Sequence, residues 1–118
     1  MPRRPGSFTF AHRQRLERAT AHYLRDCYRR RTAARVSELA AYLQIATPYL
    51  SRIAPEIVGM PLRDFLRAKQ LAYAERLLRT TPLSNEEIAL RAGFGTPSTF
   101  YRRFTAAHGI TPGAFRGL

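Results

Sequence analysis

The chain holds a single cysteine, Cys27, and only eight acidic residues among 118. One thiol makes no internal disulfide, which fits a reducing, cytoplasmic compartment. No apolar run approaches the ~18–20 residues of a membrane span. The basic start, "MPRRPGSFTF", lacks the apolar stretch and small-residue cleavage site of a secretory leader. Neither Asn-Gly nor Asp-Gly occurs, and no segment alternates clearly with period two, so strands have little signal. Gly-rich phosphate loops and H-E-x-x-H are also missing. His12, His22 and His108 have no metal-ligand spacing with Cys27 or with a carboxylate. The expectation is no enzyme, no metal site, no cofactor and no membrane partner.

What is abundant is arginine. Nineteen of the twenty basic residues are Arg, and the net charge is +12. Such a surface attracts a polyanion, because each neutralised phosphate releases condensed counterions. The charge is uneven: residues 1–35 hold ten Arg against Glu17 and Asp26. Nucleic acid fits better than a membrane surface, since no segment joins strong basicity to a large exposed apolar face.

Helical spacing recurs along the chain. A first helix is expected over about 11–31, with Leu16, Thr20, Tyr23, Leu24 and Cys27 on one stripe. A short helix follows over about 36–43, and a third starts at "TPYLSR", with Thr47 as cap and Pro48 at the first position. Pro61 opens a longer helix to about Arg79, its apolar face drawn from Phe65, Leu66, Ala72, Leu77 and Leu78. Ser84 and Glu87 have the spacing of a capping box before a short helix over 85–92. Thr96-Pro97 starts another helix that ends at Gly109, and Thr111-Pro112 starts a final turn. Cys27 reads as a core thiol.

The chain also resembles itself. "LAAYLQIATP" (39–48) and "IALRAGFGTP" (88–97) align at an offset of 49, and one extra residue then pairs Leu50 with Phe100 and Arg52 with Arg102. Each copy reads as short helix, tight turn, longer helix, the second helix being able to enter a major groove. On a helical wheel of ~100° per residue centred on Phe100, Phe104 falls at ~40° and Ala107 at ~340°, the inward side. Ser98, Arg102, Ala106 and Thr99 fall together on the opposite, outward side of the same wheel. Small residues around one arginine let a helix approach base edges, where Arg102 can donate twice to guanine. Arg103 is angled toward the flank, as a phosphate contact would be. In the first copy Pro48, Tyr49 and Arg52 point outward, Pro55 is expected to end or kink the helix near Ala54, and Glu56 would repel phosphate.

Together, "LAAYLQIATPYLSRI" and "IALRAGFGTPSTFYRRFTAAHGITPGAFR" are similar to the DNA-binding domain of AraC/XylS-type bacterial transcription regulators. The second segment carries that family's pattern of Ile-Ala, Gly-Phe, then Phe100, Arg102, Phe104, Gly109, Thr111-Pro112 and Phe115-Arg116. The resemblance covers about residues 12–117. It implies an all-α fold of about seven helices, with two helix-turn-helix subdomains joined by a long linker helix. It also implies reading helices in successive major-groove segments, about one turn (~34 Å) apart. The chain departs from the family at Gln44 for the first turn's Gly, Ala54 for a Phe, Gln70 for an Arg, and Ala46 and Gly95 for a capping Ser.

The domain expectation is a basic tail over 1–10, subdomains over 11–60 and 81–118, and the linker over 61–80. The functional expectation is a sequence-specific, double-stranded DNA-binding regulator, monomeric as an isolated chain. Its expected contacts are Pro48, Tyr49, Arg52, Ser98, Thr99, Arg102 and Arg103. The alternative is a protein-interaction module that contacts RNA polymerase or a partner regulator and binds DNA weakly. Salt dependence separates the two.

Overall fold

The computed structural model describes residues 8–118. Most of the expected basic tail lies outside the described residues. Seven helices follow in order: α1 (Phe10–Arg30), α2 (Val36–Tyr42), α3 (Thr47–Val58), α4 (Leu62–Thr80), α5 (Asn85–Arg91), α6 (Pro97–His108) and α7 (Pro112–Arg116). The described residues are all-α. They divide into two compact units, and the division passes within α1 and α4. Among the described residues, one unit holds 8–26 and Ala34–Arg67; the other holds Cys27–Ala33 and Ala68–Leu118.

In the first unit, α1 buries Leu16, Thr20, Tyr23 and Leu24, the stripe expected from their spacing. Leu39 and Ala40 of α2 are buried, as are Leu50, Ala54 and Val58 of α3. The start of α2 has no Ser or Thr cap. Instead the Arg35 amide donates to the Tyr23 hydroxyl (2.8 Å), which donates to Glu38 Oε1 (2.6 Å). Glu38 is the residue that would close a capping box on Arg35 directly. Tyr23 relays that bond from α1, so the cap ties α2 to its neighbour.

Two expectations for α3 are corrected. Thr47 is not the cap: it is the first helical residue, the N-cap is Ala46, and no side chain bonds the free amides. Pro55 does not end the helix, which runs on to Val58. Its fixed φ suits a helix, and the one bond it removes would use the carbonyl of Ser51. Ser51 and Pro55 are both exposed, so water can take that carbonyl.

The second unit has its own core. Ala74, Leu77 and Leu78 of α4 meet Ile88, Ala89, Ala92, Phe94, Phe100 and Phe104. Cys27 is buried, as expected of a core thiol. Ala72 is exposed, contrary to the expected apolar face. Relative to buried Gln70, Ala74 lies ~40° round the helix whereas Ala72 lies ~200° away. Tyr28 stacks on Tyr73 at 4.1 Å between ring centroids, and burial pushes the Tyr28 phenol well above its ordinary pKa.

Half of the expected capping box forms at α5. Ser84 Oγ accepts from the Glu87 amide at 3.1 Å. The Glu87 carboxylate turns to Arg91 Nε (3.0 Å) and Arg31 Nη2 (3.1 Å) instead. The hydrogen bond from Arg91 and then the Arg31 charge hold this carboxyl below its usual pKa.

Candidate nucleic-acid interface

The internal repeat is built twice as a turn followed by a twelve-residue helix. Both turns close with the same bonds. Leu43 N reaches Leu39 O (2.9 Å) and Ile45 N reaches Ala40 O (3.0 Å). At the equivalent places, Ala92 N reaches Ile88 O (2.9 Å) and Phe94 N reaches Ala89 O (2.9 Å). The left-handed position of the turn is Gln44 (φ 60°) in the first and Gly93 (φ 79°) in the second. The structure places the extra residue of the second copy inside the turn, before the Thr-Pro pair: α2 and α5 start 49 apart, α3 and α6 start 50 apart. Thr47-Pro48 therefore sit one position deeper in their helix than Thr96-Pro97.

Helix α6 is fixed at both ends and along one side. Thr96 is its N-cap, and its Oγ1 accepts from the Thr99 amide at 3.1 Å. Phe100 and Phe104 are buried, and Phe94, Phe100, Phe104 and Phe115 contact one another ring to ring in sequence. His108 stacks on Phe104 (4.0 Å) and bonds through Nε2 to Glu75. This contact draws the inward side toward His108, so Ala107, expected to face inward, is exposed. Beneath the turn lies a support that the sequence did not announce. Gln70 is 4% exposed and donates Nε2 to the carbonyls of Ala92 (3.2 Å) and Gly93 (3.3 Å). A Cβ on Gly93 would meet the Thr32 carbonyl oxygen at 2.9 Å and Gln70 Nε2 at 3.1 Å.

What remains outward on α6 is Pro97, Ser98, Tyr101, Arg102, Ala106 and Ala107. Arg102 is exposed and makes no ion pair among the described residues. Thr99 is half-buried, and its Oγ1 accepts from the Thr96 hydroxyl at 3.1 Å. Arg103 is half-buried and engaged within the protein. No acidic residue occurs in α6. Tyr101, half exposed beside Arg102, belongs to this surface although the expected contacts omitted it. Its wheel position, ~100° from Phe100 and so on the flank, carried the signal.

On α3 the outward residues are Pro48, Tyr49, Ser51, Arg52, Pro55 and Glu56. Arg52 lies over the Tyr49 ring, 5.4 Å from its centroid. Such an arrangement holds a guanidinium in place and leaves its N–H edge available. Arg52 and Arg102 occupy the same position in their helices, the sixth. Glu56 places a carboxylate at the edge of the first face. No helix among the described residues is long and apolar enough to cross a membrane, and they hold no cluster of three potential metal ligands.

Residues 39–117 match a family model described as a helix-turn-helix domain. Over 68 residues the chain is 38% identical to the HTH-type transcriptional activator AarP of Providencia stuartii, covering 58% of this chain and 50% of that protein. The chain thus spans about half the length of this relative. Among solved structures, the DNA-binding domain of AdpA, a global transcriptional factor in complex with a target DNA, superposes with a TM-score of 0.77. It is 26% identical, over 86% of this chain and 89% of that one. The C-terminal domain of the two-component response regulator yesN from Fusobacterium nucleatum gives a TM-score of 0.75. That match is 29% identical and covers 86% and 98%.

Proposed function

We propose, for a chain that belongs to the AraC-type helix-turn-helix family, that it regulates transcription by sequence-specific binding to double-stranded DNA. The observation that carries this reading is the doubled turn and helix, with an outward arginine at the same position in each copy. An exposed helix face of small residues around one arginine suits a major groove, where Arg bound twice to guanine O6 and N7 discriminates by ~1–3 kcal/mol. On this reading Ser98, Thr99 and Arg102 of α6 meet base edges, with Tyr101 beside them. Pro48, Tyr49 and Arg52 of α3 read a second segment. Arg103, on the flank of α6, serves phosphate. The net charge of +12 supplies the salt-dependent part of the affinity. Two tandem readers, unlike in residues, suit an asymmetric site bound by one monomer, in the cytoplasm where DNA is available.

The test is selection of bound sequences from random duplexes at moderate salt, followed by titration of the enriched site. The expected result is one enriched site whose log K falls steeply with log salt. Arg102→Ala should relax selectivity at one or two base pairs, whereas Arg103→Ala should weaken all duplexes alike. Absence of any enriched sequence would sink this reading in favour of a module that docks on RNA polymerase or a partner regulator. Equal, unselective losses from both variants would sink the base-reading assignment of Arg102.

A further inference from the structure

Four side chains of α1 form a basic row. Arg15, Arg18, His22 and Arg25 recur at steps of three, four and three residues, and all four are exposed. On a wheel centred on Arg15 they fall within ~80° of one another. Leu16, Thr20, Tyr23 and Leu24 are the buried side of this stretch, and they lie opposite the row on the same wheel. The three guanidinium groups make no ion pair or hydrogen bond among the described residues. Helix α1 holds two acids, Glu17 and Asp26. Glu17 lies off the row and pairs with Arg13 at 3.8 Å. Asp26, at the edge of the row, is engaged within the protein. The charge of the row is therefore both accessible and uncompensated, and like charges at such spacings disfavour a helix until an anion joins them.

The row also faces away from the surface of this unit that suits DNA. The first unit is compact, and α1, α2 and α3 bury their apolar sides in its interior. On α3 the buried side is Leu50, Ala54 and Val58, and Arg52 lies ~160° round the helix from Ala54. Each outward face therefore points away from the shared interior in its own direction. A duplex seated on Tyr49 and Arg52 leaves the α1 row to solvent. The row is one side chain wide and ~15 Å long, with neighbours ~5–6 Å apart between Cβ atoms. A second helix sets carboxylates in a single row at that same spacing, whereas a duplex presents its phosphates along two strands.

We propose that this row is a docking surface for an acidic helical segment of a partner protein, open to it while α3 faces DNA. Guanidinium forks pair with carboxylates through two parallel hydrogen bonds, and arginine clusters are a recurrent means of holding acidic motifs. The probe is a labelled, alanine-based helical peptide with glutamates at steps of three, four and three residues. A peptide of the same composition with that spacing scrambled is the control. Binding is followed by fluorescence anisotropy at near-physiological salt, without DNA. The native chain should bind the spaced peptide more tightly than the scrambled one. Arg15→Gln, Arg18→Gln and Arg25→Gln together should weaken that binding about tenfold, three exposed pairs being lost. Arg52→Gln with Arg102→Gln should change it by less than about twofold. The three row positions are exposed and glutamine is a good helix former, so the triple variant keeps its fold.

In a second measurement the triple variant is titrated with duplex at several salt concentrations. Its slope of log K against log salt should match that of the native chain. A slope lower by about three would give the row to the DNA backbone and overturn the protein partner. Equal binding of the two peptides, binding of neither, or an equal loss from Arg52→Gln with Arg102→Gln also overturns the proposal. The peptide measurement needs no DNA, so its outcome is independent of whether α3 and α6 read bases.

Discussion

The two turn-helix segments perform one construction with different materials. In the first unit the turn puts Gln44 in a left-handed conformation, the helix lacks a capping side chain, and Glu56 sits on its outward face. In the second, Gly93 takes the left-handed position, Thr96 caps, Gln70 grips the turn from below, and the outward face carries no acid. Even the equivalent carboxylates differ: Glu38 is satisfied by the hydroxyl of Tyr23, Glu87 by the guanidinium groups of Arg31 and Arg91. The lesson is that the repeated geometry rests on hydrogen bonds within the backbone. The residues decide how firmly each copy is held and what it presents.

The largest expected difference is between the two turns. Gly93→Ala should destabilise the chain by about 3 kcal/mol, because a left-handed Cβ is strained and this one meets the Thr32 carbonyl. Gln44→Gly should do the reverse, stabilising by about 0.5–1 kcal/mol, the relief of strain being partly offset by glycine's larger unfolded-state entropy. Chemical denaturation of both variants checks the pair. Destabilisation by Gln44→Gly would break the comparison.

Next come the two arginines. Arg102→Ala should lower affinity for the selected site by about 2 kcal/mol relative to random duplex. Arg52→Ala should cost about half as much, because Glu56 flanks it and repels the phosphates on either side. Adding Glu56→Gln should raise the affinity of all duplexes. Competition binding measures each loss, and a greater loss from Arg52→Ala would reverse the ranking.

The caps give a smaller contrast. Thr96→Ala removes a bond to the Thr99 amide and should cost ~1 kcal/mol. Thr47→Ala, at a position already inside its helix, should change stability by less than about 0.5 kcal/mol. Thermal unfolding of the two variants separates them. Equal losses would mean that Thr47 also caps.

The smallest effect is tied to acid. The Glu87 pKa is depressed in the folded chain, chiefly by the bond from Arg91. Its contribution is therefore full above the ordinary carboxylate range and is lost as pH falls through the lowered folded value. Glu87→Gln should flatten that acid limb of Tm against pH and leave the neutral region nearly level. An unchanged acid limb would show that the pair contributes nothing measurable.

Much of this architecture is legible in the sequence, because apolar spacing and turn residues are local signals. The stripe from Leu16 to Cys27, the Thr96 and Thr111 caps, and the Phe100–Phe104 anchor follow from neighbours within a few positions. Thr47 misleads because a Thr-Pro pair reads the same in either register. Only the length of the preceding turn shows that it lies one residue deeper. Pro55 misleads as a terminator because its fixed φ is already helical and the carbonyl whose bond it removes belongs to exposed Ser51. Ala107 misleads because the wheel is centred on Phe100, whereas the His108 contact with Glu75 turns the inward side. The Gln70 grip and the Arg31–Glu87 pair span 22 or more residues, and no local pattern encodes them. The expected contact residues other than Thr99 and Arg103 are exposed on their helices, and those two are half-buried by neighbours that a wheel does not include.

Gln70 and Gly93 also have a consequence for how this chain can change over generations. The space that any Cβ at position 93 would enter is already held by the Thr32 carbonyl and the Gln70 amide, and that amide's bonds are to the very turn that glycine makes. A shorter side chain at 70 leaves two carbonyls unanswered, whereas the Thr32 carbonyl and the left-handed φ exclude a Cβ at 93 whatever stands at 70. Position 93 should therefore be inherited as glycine, with position 70 the freer of the two. In a library randomised at both, survivors should keep Gly93 and, where they vary, vary at 70.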